Sequence, residues 1–173
     1  MLSQIDIPIA LALVELPDAT YQQIAHALGI STSTAHDGVN RLREAGLVAE
    51  EGRRVNHLAL LELLEHAAKY LFRTKPGAVR LGVPTAHSGP DLAPIFDVPH
   101  DAYVWASPNG TVRGRAVEPL VPRAAEIAER SPGLYATLAL VDALRVGRAR
   151  ERNQAMIALR RRLGRSEGPV LSW

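Results

Sequence analysis

The chain has 173 residues, 47% of them hydrophobic and 22% charged, and no cysteine. That is a globular composition long enough to bury a core, as one compact domain or two small ones, and it excludes a disulfide framework, a thiolate nucleophile and Cys-ligated zinc or iron–sulfur sites. Net charge is only +2 but unevenly spread: residues 1–60 hold four Arg against seven acids, a balance of −3, while residues 145–165 hold eight Arg against Glu151 alone, a balance of +7. Arg outnumbers Lys eighteen to two, a bias that favours planar, bidentate contacts with phosphate or carboxylate and that a GC-rich genome also produces.

The apolar stretch Ile7 to Val14 follows Asp6, and the first 40 residues contain no Lys or Arg, the wrong start for a signal peptide. No apolar run approaches the ~20 residues of a membrane span. A cytoplasmic protein with no membrane contact is expected.

Asp6 is placed to cap a first helix, with Pro8 in its first turn and Ile9, Leu13 and Leu16 on one face until Pro17 stops it. Thr20 and Gln23 form a T-x-x-Q capping box for a second, two-turn helix that buries Ile24 and Leu28 and ends at Gly29. Ser31 caps a third helix from Thr32 to Ala45, with Ala35, Val39 and Leu42 inward, Gly38 out of place inside it and Gly46 closing it. Leu47-Val48, a reversal at Glu50-Glu51-Gly52 and Arg53-Arg54-Val55 then read as a small two-stranded hairpin. Short helix, glycine turn, second helix and basic hairpin is the order of a winged helix-turn-helix.

The run from Tyr21 to Val48 resembles the winged helix-turn-helix of bacterial regulators of the MarR/ArsR/IclR type. The resemblance spans residues 5–56 and rests on Ile24-Ala25 and Leu28-Gly29 of the scaffold helix, Ser31 at the turn, and Arg41-Leu42 with Ala45-Gly46-Leu47-Val48 at the exit. It implies double-stranded DNA as partner. A helix of this width fits the major groove, and the side chains facing away from Ala35, Val39 and Leu42 meet the DNA. These include Thr32, Ser33, His36, Asn40 and Arg41, with Ser31 at the helix start. Asn40 suits adenine, Arg41 a phosphate or guanine, and Arg53 and Arg54 of the wing suit phosphate or a narrow minor groove. Asp37 on the same face and the acidic balance of the head weaken phosphate attraction, so a dimer or another basic element is required for tight binding.

His57 to Phe72 reads as a fourth helix whose stripe of Leu60, Leu61, Leu64, Ala67, Ala68 and Leu71 is broad enough for core packing on two sides or for a subunit contact. Residues 73–122 are rich in Pro and Gly. Asn109-Gly110 between Ala102–Trp105 and Thr111–Val117 signals a hairpin in a small sheet. His87, Asp91, Asp97, His100 and Asp101 match no metal-ligand spacing and read as a solvated loop. Residues 123–165 are helical again, ending in an amphipathic basic helix from Arg148 to Leu163 whose Arg160, Arg161 and Arg162 suit phosphate, an acidic partner, or solvent.

No Gly-rich phosphate loop, G-x-S-x-G elbow or H-E-x-x-H is present, so no enzyme, cofactor or metal is expected. The expected fold class is α+β: a winged helix-turn-helix over residues 1–56, a linking helix over 57–72, and a smaller mixed C-terminal domain over 73–173 with a hairpin or small sheet and terminal helices. The expected function is that of a sequence-specific, dimeric transcriptional repressor, two copies placing recognition helices in successive major grooves. The rival is a protein-interaction module, antitoxin-like, whose winged helix is structural and whose Arg-rich last helix docks an acidic protein.

Overall fold

The computed structural model describes residues 1–97 and 99–164; Arg165, counted above with the basic C-terminal segment, lies outside them. The architecture is α+β. Helices α1 (Asp6–Glu15), α2 (Tyr21–Leu28) and α3 (Thr32–Glu44) lead through a wing to α4 (His57–Leu71). Strand β1 (Val79–Thr85), a one-turn helix α5 (Ala93–Phe96), β2 (Tyr103–Ala106) and β3 (Val112–Ala116) follow, and α6 (Ala124–Arg130), α7 (Pro132–Val146) and α8 (Ala149–Gly164) complete the order.

The local signals in residues 20–46 act as their chemistry dictates. The Thr20 backbone N–H donates to Gln23 Oε1 at 2.8 Å, and the Gln23 N–H donates to Thr20 Oγ1 at 3.2 Å, which together satisfy two otherwise orphaned donors. Gly29 turns with φ +65°, in the left-handed region where glycine costs least. Ser31 Oγ accepts from the Thr34 N–H at 3.0 Å and starts α3. Gly38 is explained by packing: a Cβ there would overlap the Ile9 side chain, so its absence lets α3 lie close against α1.

Three expectations are corrected, the last of them in the sheet. Asp6 is the first residue of α1 rather than its cap; it is fully buried, accepts from the Ser3 N–H and holds Arg41 of α3. The wing is a single bridge, Val48 opposite Val55, extended by Ala49 N–H to the Arg54 carbonyl at 2.9 Å, instead of two strands. Of the two roles left open for the α4 stripe, packing is what the structure shows within the chain: Leu60, Leu64 and Ala68 are buried, with α4 against α7 and α8, while Leu71 is 61% exposed.

Asn109-Gly110 makes a turn, with the Gly110 N–H on the Ser107 carbonyl, but β2 and β3 are not hairpin partners. Both run antiparallel to β1, and they pair with each other in parallel, Tyr103 opposite Arg115 and Val104 opposite Ala116. The three short strands therefore close on one another. Gly82 lies where the two ladders meet, opposite both Ala106 and Val112, and a Cβ there would overlap the Trp105 carbonyl. Close crossing of backbones is possible only because that position carries no side chain.

Helix α7 organises the C-terminal half. It packs against α1, α4, α6, α8 and β1, and is buried along nearly its whole length. Asp142 and Arg145, both buried, pair at 2.6 Å. The second Asp142 oxygen accepts from Thr85 Oγ1 at 2.7 Å and Trp105 Nε1 at 2.6 Å, while Arg145 donates to the carbonyls of Phe72 and Glu118 at 2.8 and 3.0 Å. One buried carboxylate thus ties β1, β2 and the end of α4 to α7. Tyr135 on α7 donates to the Pro84 carbonyl, and burial pushes its phenol up to about 12, so it remains a donor at any ordinary pH. Most of the buried apolar residues form one continuous cluster from Ile7 of α1 to Leu163 of α8.

Candidate nucleic-acid interface

Helix α3 buries Ala35, Gly38, Val39 and Leu42 and exposes Thr32, Ser33, His36 and Asp37, with Asn40 and Arg41 half-buried beside them. The exposed group is what a helix docked by its apolar side can offer a major groove. Its side chains are not independent. Asn40 Oδ1 accepts from Arg43 Nη1 at 2.8 Å, and Asn40 Nδ2 lies 3.4 Å from His36 Nδ1. His36 Nδ1 is also 3.3 Å from Asp37 Oδ1. One ring nitrogen cannot accept from Asn40 and donate to Asp37 at once, so the His36 tautomer decides which neighbour is held. The His36 ring stands edge-on to Tyr21, centroids 5.0 Å apart.

Arginines set the geometry of the face. Arg41 is directed inward: Nε and Nη2 donate to the two Asp6 oxygens at 2.9 and 2.7 Å, and that hydrogen-bonded carboxylate holds the guanidinium above its ordinary pKa. Arg53 turns back over the Tyr21 ring, 5.1 Å from the centroid, and reaches the Asp18 carbonyl at 3.4 Å. Arg54 is exposed on the wing. Ser31 is spent on its own helix start. The C-terminal arginines are partly committed too. Arg160 meets Glu65 at 2.7 Å, Arg162 grips Asp91 through two bonds of 2.6 and 2.7 Å, and Arg161 faces an open groove of about 750 Å³ between the end of α1 and α8.

Arg43 escaped the sequence reading. Besides Asn40, it donates to the wing carbonyls of Ala49 at 3.2 Å and Gly52 at 3.0 Å, so one guanidinium clasps α3 and the wing together. Its i,i+3 spacing from Asn40 is the signal that would have found it. Arg43→Ala is expected to lower stability by about 1 kcal/mol, three partly solvated hydrogen bonds being worth little more. It should also speed amide exchange at Ala49 and Asn56 of the wing. Unchanged exchange there would show that the wing holds itself.

The loop that sequence reading left in solvent is partly structural. His87 is buried and donates from Nε2 to the Asp101 carbonyl at 2.7 Å, and Asp91 serves Arg162. Among the described residues no group of three His, Cys, Asp or Glu converges as metal ligands would, and no helix is long and apolar enough to cross a membrane.

Helix, turn, second helix and wing are thus present in the order of a winged helix-turn-helix. Residues 2–76 match the family model described as sugar-specific transcriptional regulator TrmB. Residues 2–76 are thus similar to the helix-turn-helix of a family of transcriptional regulators, and the match covers less than half of the chain. MarR, ArsR and IclR are not singled out by it. No curated protein and no solved structure matches the chain.

Proposed function

We propose that the protein is a sequence-specific DNA-binding transcriptional regulator acting as a dimeric repressor. Residues 1–56 are its reader, 57–72 the linking helix, and 73–173 the part that dimerises, senses a signal or binds a partner. The observation that carries this reading is the polar face of α3, exposed next to a wing that Arg43 holds at a fixed distance. Thr32, Ser33, His36 and Asn40 then read bases or phosphates, Arg54 touches the backbone from the wing, and Ser31, Arg41 and Arg53 support them from behind. The match to TrmB ends at residue 76, so the sugar of that family's description is not carried over to residues 77–173.

The rival, an acidic protein docked on the Arg-rich α8, has less to work with. Two of its three clustered arginines already face Glu65 and Asp91.

Selection of binding sites from random duplex DNA tests the reading. A palindromic or directly repeated consensus is expected, its half-site spacing giving the geometry of the dimer. Asn40→Ala should cost about 1–3 kcal/mol on that consensus, the usual value of one bidentate base contact, with folding intact. No enrichment at low salt would turn the reading toward protein binding.

A further inference from the structure

Ala86 holds a backbone conformation that alanine rarely adopts. Its φ is +54°, in the left-handed region, and the residue is buried, so the strain persists only because the surroundings impose it. Helix α7 supplies those surroundings on both sides. Tyr135 donates to the Pro84 carbonyl, Asp142 accepts from the Thr85 hydroxyl at 2.7 Å, and Gly89 lies so close to Ala139 that a Cβ there would overlap it.

What this strained turn presents is His87. The residue is 3% exposed, its Nε2 lies 2.7 Å from the Asp101 carbonyl, and the Tyr103 ring stands edge-on to it, centroids 4.5 Å apart. A carbonyl only accepts, so Nε2 carries the proton and Nδ1 of the neutral ring is a lone-pair acceptor. Nδ1 is buried and has no partner. Among the described residues one other buried side-chain polar atom stands in that position, Arg53 Nε, and its guanidinium is occupied with Tyr21 and Asp18. An acceptor left empty in the interior lowers stability unless something donates to it.

The imidazole lines a pocket of about 240 Å³. Pro84, Ala93, Ala102 and Val112 make its walls largely apolar, and Ser88 and Asp97 are its other polar side chains. Ser88 Oγ accepts from the Tyr103 N–H at 3.0 Å, which leaves its own proton to donate. One water takes about 30 Å³ in the liquid, so a single water on Nδ1 leaves most of the space empty. The walls suit an apolar body, while Nδ1 and the Asp97 carboxylate both call for a donor. Anions are disfavoured, since Asp97 repels them and Nδ1 has no proton to offer.

We infer that this pocket is a binding site for a small molecule whose apolar body carries an O–H or N–H that is donated to His87 Nδ1. The inference stands apart from the reading of α3, because binding is measured on the protein without DNA.

The test is the imidazole ¹⁵N spectrum of the full chain at pH 8, above the ordinary titration range of histidine, with the His87 signal assigned by its absence from His87→Phe. The probes are benzyl alcohol, benzylamine and benzyl methyl ether, which share one body and differ in the donor. Benzyl alcohol or benzylamine should move the Nδ1 resonance upfield and saturate it. The ether should bind about tenfold more weakly, the value of one hydrogen bond, and leave Nδ1 in place. A response to benzyl alcohol marks a neutral donor; a response to benzylamine alone marks an ammonium group that also needs Asp97. Ala93→Leu puts a larger side chain into the pocket from an exposed position on α5, and with circular dichroism and melting temperature unchanged it should abolish the response. An Nδ1 resonance that none of the probes moves overturns the inference and leaves that atom to a trapped water or to packing. A shift that survives Ala93→Leu overturns it as well, because the probe then sits elsewhere.

Discussion

Asp142→Ala is expected to lower folding stability by about 3–5 kcal/mol, the range for breaking a buried ion pair on one side only. The carboxylate has no solvent to fall back on, and its loss orphans three donors at once: the Arg145 guanidinium, the Thr85 hydroxyl and the Trp105 indole N–H. Arg145 would keep its bonds to the Phe72 and Glu118 carbonyls while losing its counter-charge, which leaves a buried cation held by neutral acceptors alone. Globular domains have about 5–15 kcal/mol in total, so the variant should sit near the edge of unfolding at 37 °C. The urea midpoint decides it; a loss under 1 kcal/mol would mean that water reaches the site and replaces the carboxylate.

Arg41→Ala should cost about 3 kcal/mol for a related reason, near the lower end of the same range because the arginine is partly solvated while Asp6 is not. Removing the guanidinium strands a carboxylate between α1 and α3, where the Ser3 N–H is its one remaining donor among the described residues. A double-mutant cycle with Asp6→Ala separates this from simple loss of packing. The pair removed together should be more stable than the sum of the single losses by at least 1 kcal/mol, and strict additivity would sink the assignment. The consequence for DNA work is practical: weaker binding by Arg41→Ala has to be measured on the folded fraction before Arg41 is credited with a phosphate or a guanine.

Features written in a few adjacent residues were legible. The capping box of Thr20 and Gln23, the left-handed Gly29 and the Ser31 cap depend on contacts three residues apart, and the order of helices in the reader follows from them. The orientation of arginines was not legible, because it is decided by partners far along the chain: Arg41 finds Asp6 across 35 residues and Arg162 finds Asp91 across 71. Asn109-Gly110 correctly marked a turn, yet a turn fixes where the chain reverses, not which strand it then joins. Strand β1, with a proline and a glycine inside it, gave no alternating pattern to announce the third partner that captured both β2 and β3. Nothing local marks Asp142, because its partners Thr85 and Trp105 lie 57 and 37 residues away.

Helix α1 touches the recognition helix on one side and α7 on the other, and all its residues from Asp6 to Val14 are buried. Among the described residues, this packing leaves no tether on which the helix-turn-helix could swing. In the function proposed above, a signal received by the C-terminal half would reach Asn40 by sliding packed surfaces past one another, through α7 and then α1, in displacements of the size that repacked side chains allow. Regulation of this kind is a matter of small changes in register against the groove rather than of opening and closing.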